Sequence, residues 1–427
     1  MELRDSGKLI IGAYILTRNA QTERHIRELA QCGIDLVICL EPNDRGVLDL
    51  LYKYGIRCIV TRVLPVAYEK QESRGFLNDI LPLSRYEEAA ASFEDHPAIV
   101  GIDLCDEPTA LDFDYLDRAA TLCKKLFPGK LIYLNLFPNY AAVATNTEDI
   151  IKSSLGTSSY QEHIDRYVEK VGLDYISYDN YVYSHAKEKP GGMFDNFRIV
   201  ADACLRTGRD FWYIPQVNTR FEDFDVTAGC LRWQAYIALA YGAKAINWAC
   251  WCGGGMGVDE NGKERWFGGW WEKNVLDENG EKTAQYDRLK EVNFELKRFW
   301  EHLRPYRRVD TRLVGFSSAP DFQSYPLLKP EERLDLGFVK ELCGNGADLA
   351  VGVFVKDGSP SQRALLVANA SDYKDLAPFT SKISFRSDCR GVKVFCESDP
   401  AALERWEDGT FSFSLNTCRA ALVTFED

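Results

Sequence analysis

Two adjacent carboxyls, Asp106 and Glu107, close the apolar run Ile99-Val100-Gly101-Ile102-Asp103-Leu104-Cys105 and precede Pro108. Side chains alternate along a strand, so Gly101, Asp103, Cys105 and Glu107 are expected on one side, with Ile102 and Leu104 on the other. The apolar pair suits the side that meets helices, which turns Asp103 and Glu107 inward. A carboxyl held at such a strand end with little solvent has a raised pKa and can donate a proton. The residue before a proline is expected to be extended, which keeps Glu107 at the rim. The plainer role for the pair is to cap the helix that follows.

Splitting a glycosidic bond generally takes two carboxyls, about 5–5.5 Å apart in retaining and about 6.5–9.5 Å apart in inverting enzymes. Asp179 is the first choice for the second group. It shares one side of its run with Tyr175, Ser177 and Tyr181. Asp106 is the next choice, and Glu222 a third. Asn135 and Gln216 are candidates to hydrogen-bond hydroxyls, and Tyr181, Trp248 and Trp251 to line the cleft. Trp266, Phe267, Trp270 and Trp271 crowd the next loop. Tryptophans there can stack on the apolar faces of sugars while their N–H groups stay wet. Cys250 and Cys252 have no histidine nearby, so no metal site is expected, and His185 reads as a loop residue. Gly253-Gly254-Gly255 precedes no helix start, which argues against phosphate. Lys244 opens its strand at the end away from any mouth, which argues against Schiff-base chemistry. No cofactor is expected.

These residues need a frame. Eight short apolar runs fall at Leu9–Leu16, Ile34–Leu40, Ile56–Val63, Ile99–Cys105, Leu131–Phe137, Tyr175–Tyr183, Phe211–Val217 and Ala243–Trp251. Helix-like periodic segments lie between them, among them Thr22–Gln31, Tyr115–Leu126, Gln161–Val171, Asn196–Arg206 and Leu231–Tyr241. Continuous apolar strands flanked by helices signal a parallel sheet covered on both faces. Eight such units predict an α/β fold, a (β/α)8 barrel over residues 1–305 with its site at the C-terminal strand ends. From about Tyr306 the texture turns to strands punctuated by turns, which predicts a smaller all-β sandwich over 306–427.

The chain of 427 residues has 51 basic and 64 acidic side chains, a net charge of −13, which argues against nucleic acid and anionic membranes as partners. Thirteen scattered cysteines without paired spacing suit a reducing cytoplasm. The start shows no apolar signal core, and no run approaches the ~18 residues that span a bilayer. Nothing in the sequence sets an oligomeric state.

Three elements carry a resemblance. His96-Pro97-Ala98-x-x-Gly101-x-x-Leu104-x-Asp106-Glu107-Pro108 is followed by Tyr133-Leu134-Asn135-Leu136-Phe137-Pro138-Asn139-Tyr140, then by Asp174-Tyr175-Ile176-Ser177-Tyr178-Asp179-Asn180-Tyr181. With Leu231–Tyr236 and Ala240–Lys244 they resemble the glycoside-hydrolase-like barrels similar to clan A glycosidases, of β-galactosidase and cellulase type. The resemblance covers most of residues 9–305 and implies that Glu107 is the acid/base glutamate of the fourth strand. Two positions depart from it. Asp106 stands where those enzymes place Asn, and Gln216 where they place a nucleophilic Glu on the seventh strand. The expectation is a glycoside hydrolase for a neutral oligosaccharide or glycoside, with Glu107 as acid and Asp179 or Asp106 as partner. The alternative is a sugar-binding pseudoenzyme that keeps the cleft without hydrolysis.

Overall fold

The computed structural model describes residues 7–40, 44–65, 74–183, 190–218, 224–252, 254–258, 264–268, 274–316, 320–396 and 399–426, with backbone alone for 320, 399 and the paired strands β9 Gly254–Val258 and β10 Glu264–Gly268. Eight parallel strands close into a barrel in chain order: β1 Ile10–Tyr14, β2 Leu36–Leu40, β3 Arg57–Val60, β4 Ile99–Asp106, β5 Leu131–Leu136, β6 Tyr175–Asp179, β7 Asp210–Ile214 and β8 Ala243–Trp248. β8 pairs back to β1, from Ile10 opposite Ala245 to Ala13 opposite Trp248. Helices α1 Glu23–Gln31, α2 Arg45–Lys53, α3 Leu77–Ile80, α4 Ser84–Ala91, α5 Phe113–Leu126, α6 Tyr160–Lys170, α7 Pro190–Thr207, α8 Ala228–Ala240 and α9 Ala284–Leu303 accompany them. The strands run apolar almost throughout because both faces are covered, one by helices and one by the barrel interior. Among the described residues, no helix is long and apolar enough to cross a membrane.

Large side chains fill the interior. Tyr133 and Tyr175 stack at 6.1 Å, and Trp212 lies 5.2 Å from Tyr175. The Tyr175 hydroxyl donates to the Ile132 carbonyl and accepts from the Leu134 amide, both at 2.8 Å. This aromatic layer lies below Asn135, Ser177 and Asp179, one step along β5 and β6 toward the C-terminal mouth, and gives them a dry floor. Across the barrel Gly12 faces Asn247, whose Oδ1 would stand 2.1 Å from any Cβ added there.

Two antiparallel sheets follow. One orders β11 Tyr306–Val314, β14 Leu349–Lys356, β15 Ser359–Asn369, β21 Ala420–Glu426, β17 Gly391–Cys396 and β18 Asp399–Pro400. The other orders β12 Leu334–Leu336, β13 Val339–Cys343, β16 Thr380–Arg386, β20 Thr410–Asn416 and β19 Glu404–Arg405. β15 is apolar on both faces. Ala364, Leu366 and Ala368 join the barrel core, while Leu365 and Val367 pack with Ile383, Phe385 and Phe413 between the sheets. The barrel-facing side is built of small residues so that α8 can approach. A Cβ on Gly352 would meet the Ala240 carbonyl oxygen at 2.4 Å.

Candidate active site

A non-glycine residue with left-handed backbone stands at or just past the C-terminal end of each of the first four strands: Ile15 at φ 62°, Cys39 at 62°, Arg62 at 57° and Glu107 at 48°. Such conformations cost about 1–3 kcal/mol each and collect where a site needs them. Glu107 is therefore not held extended by the following proline, as the sequence suggests. Its amide instead donates to the Asn135 carbonyl at 2.8 Å, and its own carbonyl accepts from Arg74 Nη1 at 2.5 Å. The Arg74 guanidinium also covers the Phe137 ring at 4.8 Å. Buried Asp112 fixes the start of that segment by accepting from the amides of Gly75 at 2.7 Å and Leu77 at 3.1 Å.

Simple alternation also fails within β4. The register against β5 shifts between Asp103 and Cys105, so Asp103 lies opposite Tyr133 and Asp106 opposite Asn135. The extra residue brings Asp106 to the inner side together with Asp103, and Cys105 is carried off that face. Cys105 is buried, and its neighbours include Tyr86 of α4.

Asn135 organises the carboxyls. Its Nδ2 donates to Asp179 Oδ1 at 2.8 Å and to Asp106 Oδ1 at 3.2 Å. Those two oxygens share one donor, so they stand no further apart than 2.8 plus 3.2, or 6.0 Å. The amide's orientation follows from its other end. Asn135 Oδ1 accepts from Ser177 Oγ at 3.0 Å, and Ser177 in turn accepts from the Tyr133 hydroxyl at 2.9 Å. A single directed chain of donors thus runs from the barrel core up to two acids.

Asp179 is only 3% exposed and also accepts from the Tyr181 hydroxyl. Asp106 is open to solvent, and Glu107 is half-buried. Burial raises the Glu107 pKa well above the usual carboxylate range, and the charges of Asp179 and Asp106 push it further, against Arg74. Burial likewise raises Asp179, with Asp106 adding to it. The same holds in direction for Asp106, where Asn135 and Arg74 pull back. Water reaching Asp106 offsets much of that push, so it is the member most readily ionised. Asp103, which accepts from Thr61 at 3.0 Å, is raised to about 7, first by burial and then by Asp106. Acids this close titrate as a group, and the cluster retains protons at neutral pH.

An apolar patch adjoins the acids through Tyr181. Ile214, Ala249 and Cys250 form a buried patch against which Tyr14, Ile15 and Tyr181 pack. Tyr140, 46% exposed, accepts from the Tyr181 amide at 3.3 Å, and the charges of Asp179 and Glu107 act on it. Tyr14 is half-buried and feels Asp106 most strongly among the charged groups. Acids with rings beside them fit a ligand with hydroxyl edges and apolar faces.

Of the residues singled out from sequence, Asp106, Glu107, Asn135, Asp179 and Tyr181 come together here. Three others do not. Gln216 is fully buried: its Oε1 accepts from the Tyr183 amide at 2.8 Å and its Nε2 donates to the Asn218 carbonyl at 2.6 Å, so its head is engaged in the core, away from solvent. Trp248 is fully buried and donates to Asn293 of α9 at 2.8 Å. Trp251, 1% exposed, meets Tyr286 edge-on at 6.1 Å. The rings at the mouth are Tyr14, Tyr140 and Tyr181. Glu222, His185, Gly253, Trp270 and Trp271 lie outside the described residues, as do the side chains of Trp266 and Phe267. Among the described residues no cluster of three or more His, Cys, Asp or Glu is arranged to hold a metal ion. Arg74, Tyr14 and Tyr140 join the site without a marker of their own in the sequence. Tyr140 lay inside a motif already singled out, whereas nothing local marks Arg74.

Because Trp251 is core, Trp251→Ala should cost about 3–5 kcal/mol of stability, read from urea unfolding. A variant that unfolds like wild type but loses sugar affinity would place this ring in the cleft after all.

No protein-family model matches the chain, and no curated protein matches it. Solved structures do resemble it, among them several glycoside hydrolases. A β-galactosidase from the psychrophilic Marinomonas ef1 is 12% identical with a TM-score of 0.44, over 69% of this chain and 60% of its own. The chain thus spans 60% of that enzyme's length. A family 5 mannosidase from Rhizomucor miehei is 13% identical with a TM-score of 0.44, over 69% of this chain and 95% of its own. A family 51 α-L-arabinofuranosidase from Bifidobacterium longum is 9% identical with a TM-score of 0.42, over 98% and 96%.

Proposed function

We propose that this chain is a glycoside hydrolase acting on a neutral oligosaccharide or glycoside in the cytoplasm, with Glu107 as general acid and Asp106 as its partner carboxylate. The observation that carries the reading is the Asn135 clamp, which holds Asp106 and Asp179 beside Glu107 at the mouth. Glu107 carries the proton at neutral pH and gives it to the glycosidic oxygen as the C–O bond breaks. Asp106, open to the cleft, stabilises the positive charge that develops on the sugar and takes a proton from the attacking water. Asp179 is too enclosed to touch the sugar. It is a positioning residue whose charge, when ionised, adds to burial in keeping Glu107 protonated. Thirteen free thiols suit a reducing compartment.

A second reading, a sugar-binding pseudoenzyme, draws on the end of β7. Ile214 and Gln216 stand there, both fully buried, and neither is an acid. A panel of chromogenic glycosides assayed with calorimetry separates the two. Turnover of any member supports the hydrolase. Binding without turnover, unchanged in Glu107→Gln, supports the binder and removes the acid role.

A further inference from the structure

A cavity of about 310 Å³ opens at the base of the barrel, at the end opposite the mouth. Its walls come from the starts of β7 and β8, from α7 and α9, and from the first residues of β11, with Phe354 of β14. It therefore lies at the seam between the barrel and the first antiparallel sheet.

We propose that this cavity binds a small molecule with a flat apolar body and one anionic group. The body is argued from Phe211, Tyr241 and Trp300, which line the cavity and are 2%, 3% and 5% exposed. The volume falls at the lower end of small-molecule sites, about 300–1,000 Å³. The anion is argued from the cations. Arg209, Lys244, Arg307 and Arg308 line the space against a single carboxylate on its wall, Asp210. Arg308 is neutralised by Asp202 at 3.0 Å, and Arg307 meets Asp357 only at 3.5 Å on the surface. Lys244 lies over the Trp300 ring at 5.2 Å, and no carboxylate pairs with it among the described residues. Arg209 Nη2 donates to the Val168 and Val171 carbonyls, while its Nη1 is enclosed and has no partner. Lys244 is the half-buried cation left without a counter-ion among these four, and such a charge is costly unless an anion in the cavity pairs with it. This concentration of positive charge stands out in a chain of net charge −13. Carboxylate, sulfonate and phosphate ester share the chemistry. The inference does not rest on the reaction at the mouth.

The test is calorimetry on the full chain with 2-naphthoate, 2-naphthol and inorganic phosphate. The expected result is saturable one-to-one binding of 2-naphthoate, with the other two at least about tenfold weaker, as the loss of a charge-assisted contact or of apolar burial predicts. Lys244→Met keeps the stem on Trp300 and removes the charge, and should weaken 2-naphthoate about tenfold or more. Arg307→Gln, on the surface, should weaken it by a smaller factor and guards against a folding defect at Lys244. Equal binding of 2-naphthol, tighter binding of phosphate, no saturation at millimolar 2-naphthoate, or unchanged affinity in both folded variants would each overturn the proposal. So would loss of binding in Glu107→Gln, because that would place the ligand at the mouth.

Discussion

Glu107→Gln should lower turnover of a chromogenic glycoside by about 10²-fold or more while the protein still folds. Glutamine fills the same space and keeps a hydrogen-bonding head, but it has no proton to give at neutral pH. The loss should depend on the leaving group. A phenol already leaves as a stable anion and needs little help, so nitrophenyl glycosides should lose less than alkyl glycosides. Stability should hold or rise, since the substitution removes a group that burial and the charges of Asp179 and Asp106 make expensive to ionise. Rates within twofold of wild type on both substrate types, measured at several pH values, would take Glu107 out of the acid role.

The second large effect is on stability. The Asp103 pKa is about 7 in the folded chain because of burial and the Asp106 charge, against about 3.9 when unfolded. Between those values the folded state binds the extra proton. Its favourable contribution is complete below about pH 4 and is lost as pH rises to about 7. The cost at and above neutrality is up to about 4 kcal/mol, since each pKa unit corresponds to about 1.4 kcal/mol. Asp103→Asn keeps an acceptor for the Thr61 hydroxyl and cannot ionise. It should be more stable than wild type at pH 8, by up to that amount, and close to wild type at pH 4. Urea unfolding at the two pH values measures the difference, and the same offset at both would show that Asp103 does not titrate in this window.

The barrel was legible because its signal is local and repeated. Each of the eight runs is apolar over a strand's length, since helices cover one face and the interior fills the other, and all eight appear where the sequence places them. The strands Leu349–Lys356, Thr410–Asn416 and Ala420–Glu426 were legible for the same reason. Asp106, Glu107, Asn135, Asp179 and Tyr181 could be singled out because strand ends on one barrel face must converge.

What stayed hidden depends on single residues of backbone. One extra residue between Asp103 and Cys105 turned Asp106 inward, and alternation cannot foresee a bulge. Gln216 and Trp251 carry the right chemical groups at the right strand ends, but partners from distant segments, the Tyr183 amide and Tyr286 of α9, draw them into the core. Arg74 is brought to Glu107 from a separate loop that Asp112 pins in place. The sequence by itself determined a closed eight-stranded cylinder with acids at one end, because apolar periodicity is written along the chain. Only the tertiary structure decided which acid meets solvent, which is sealed and which rings face the cleft. Those outcomes depend on register and on contacts between residues far apart in sequence, which periodicity does not record.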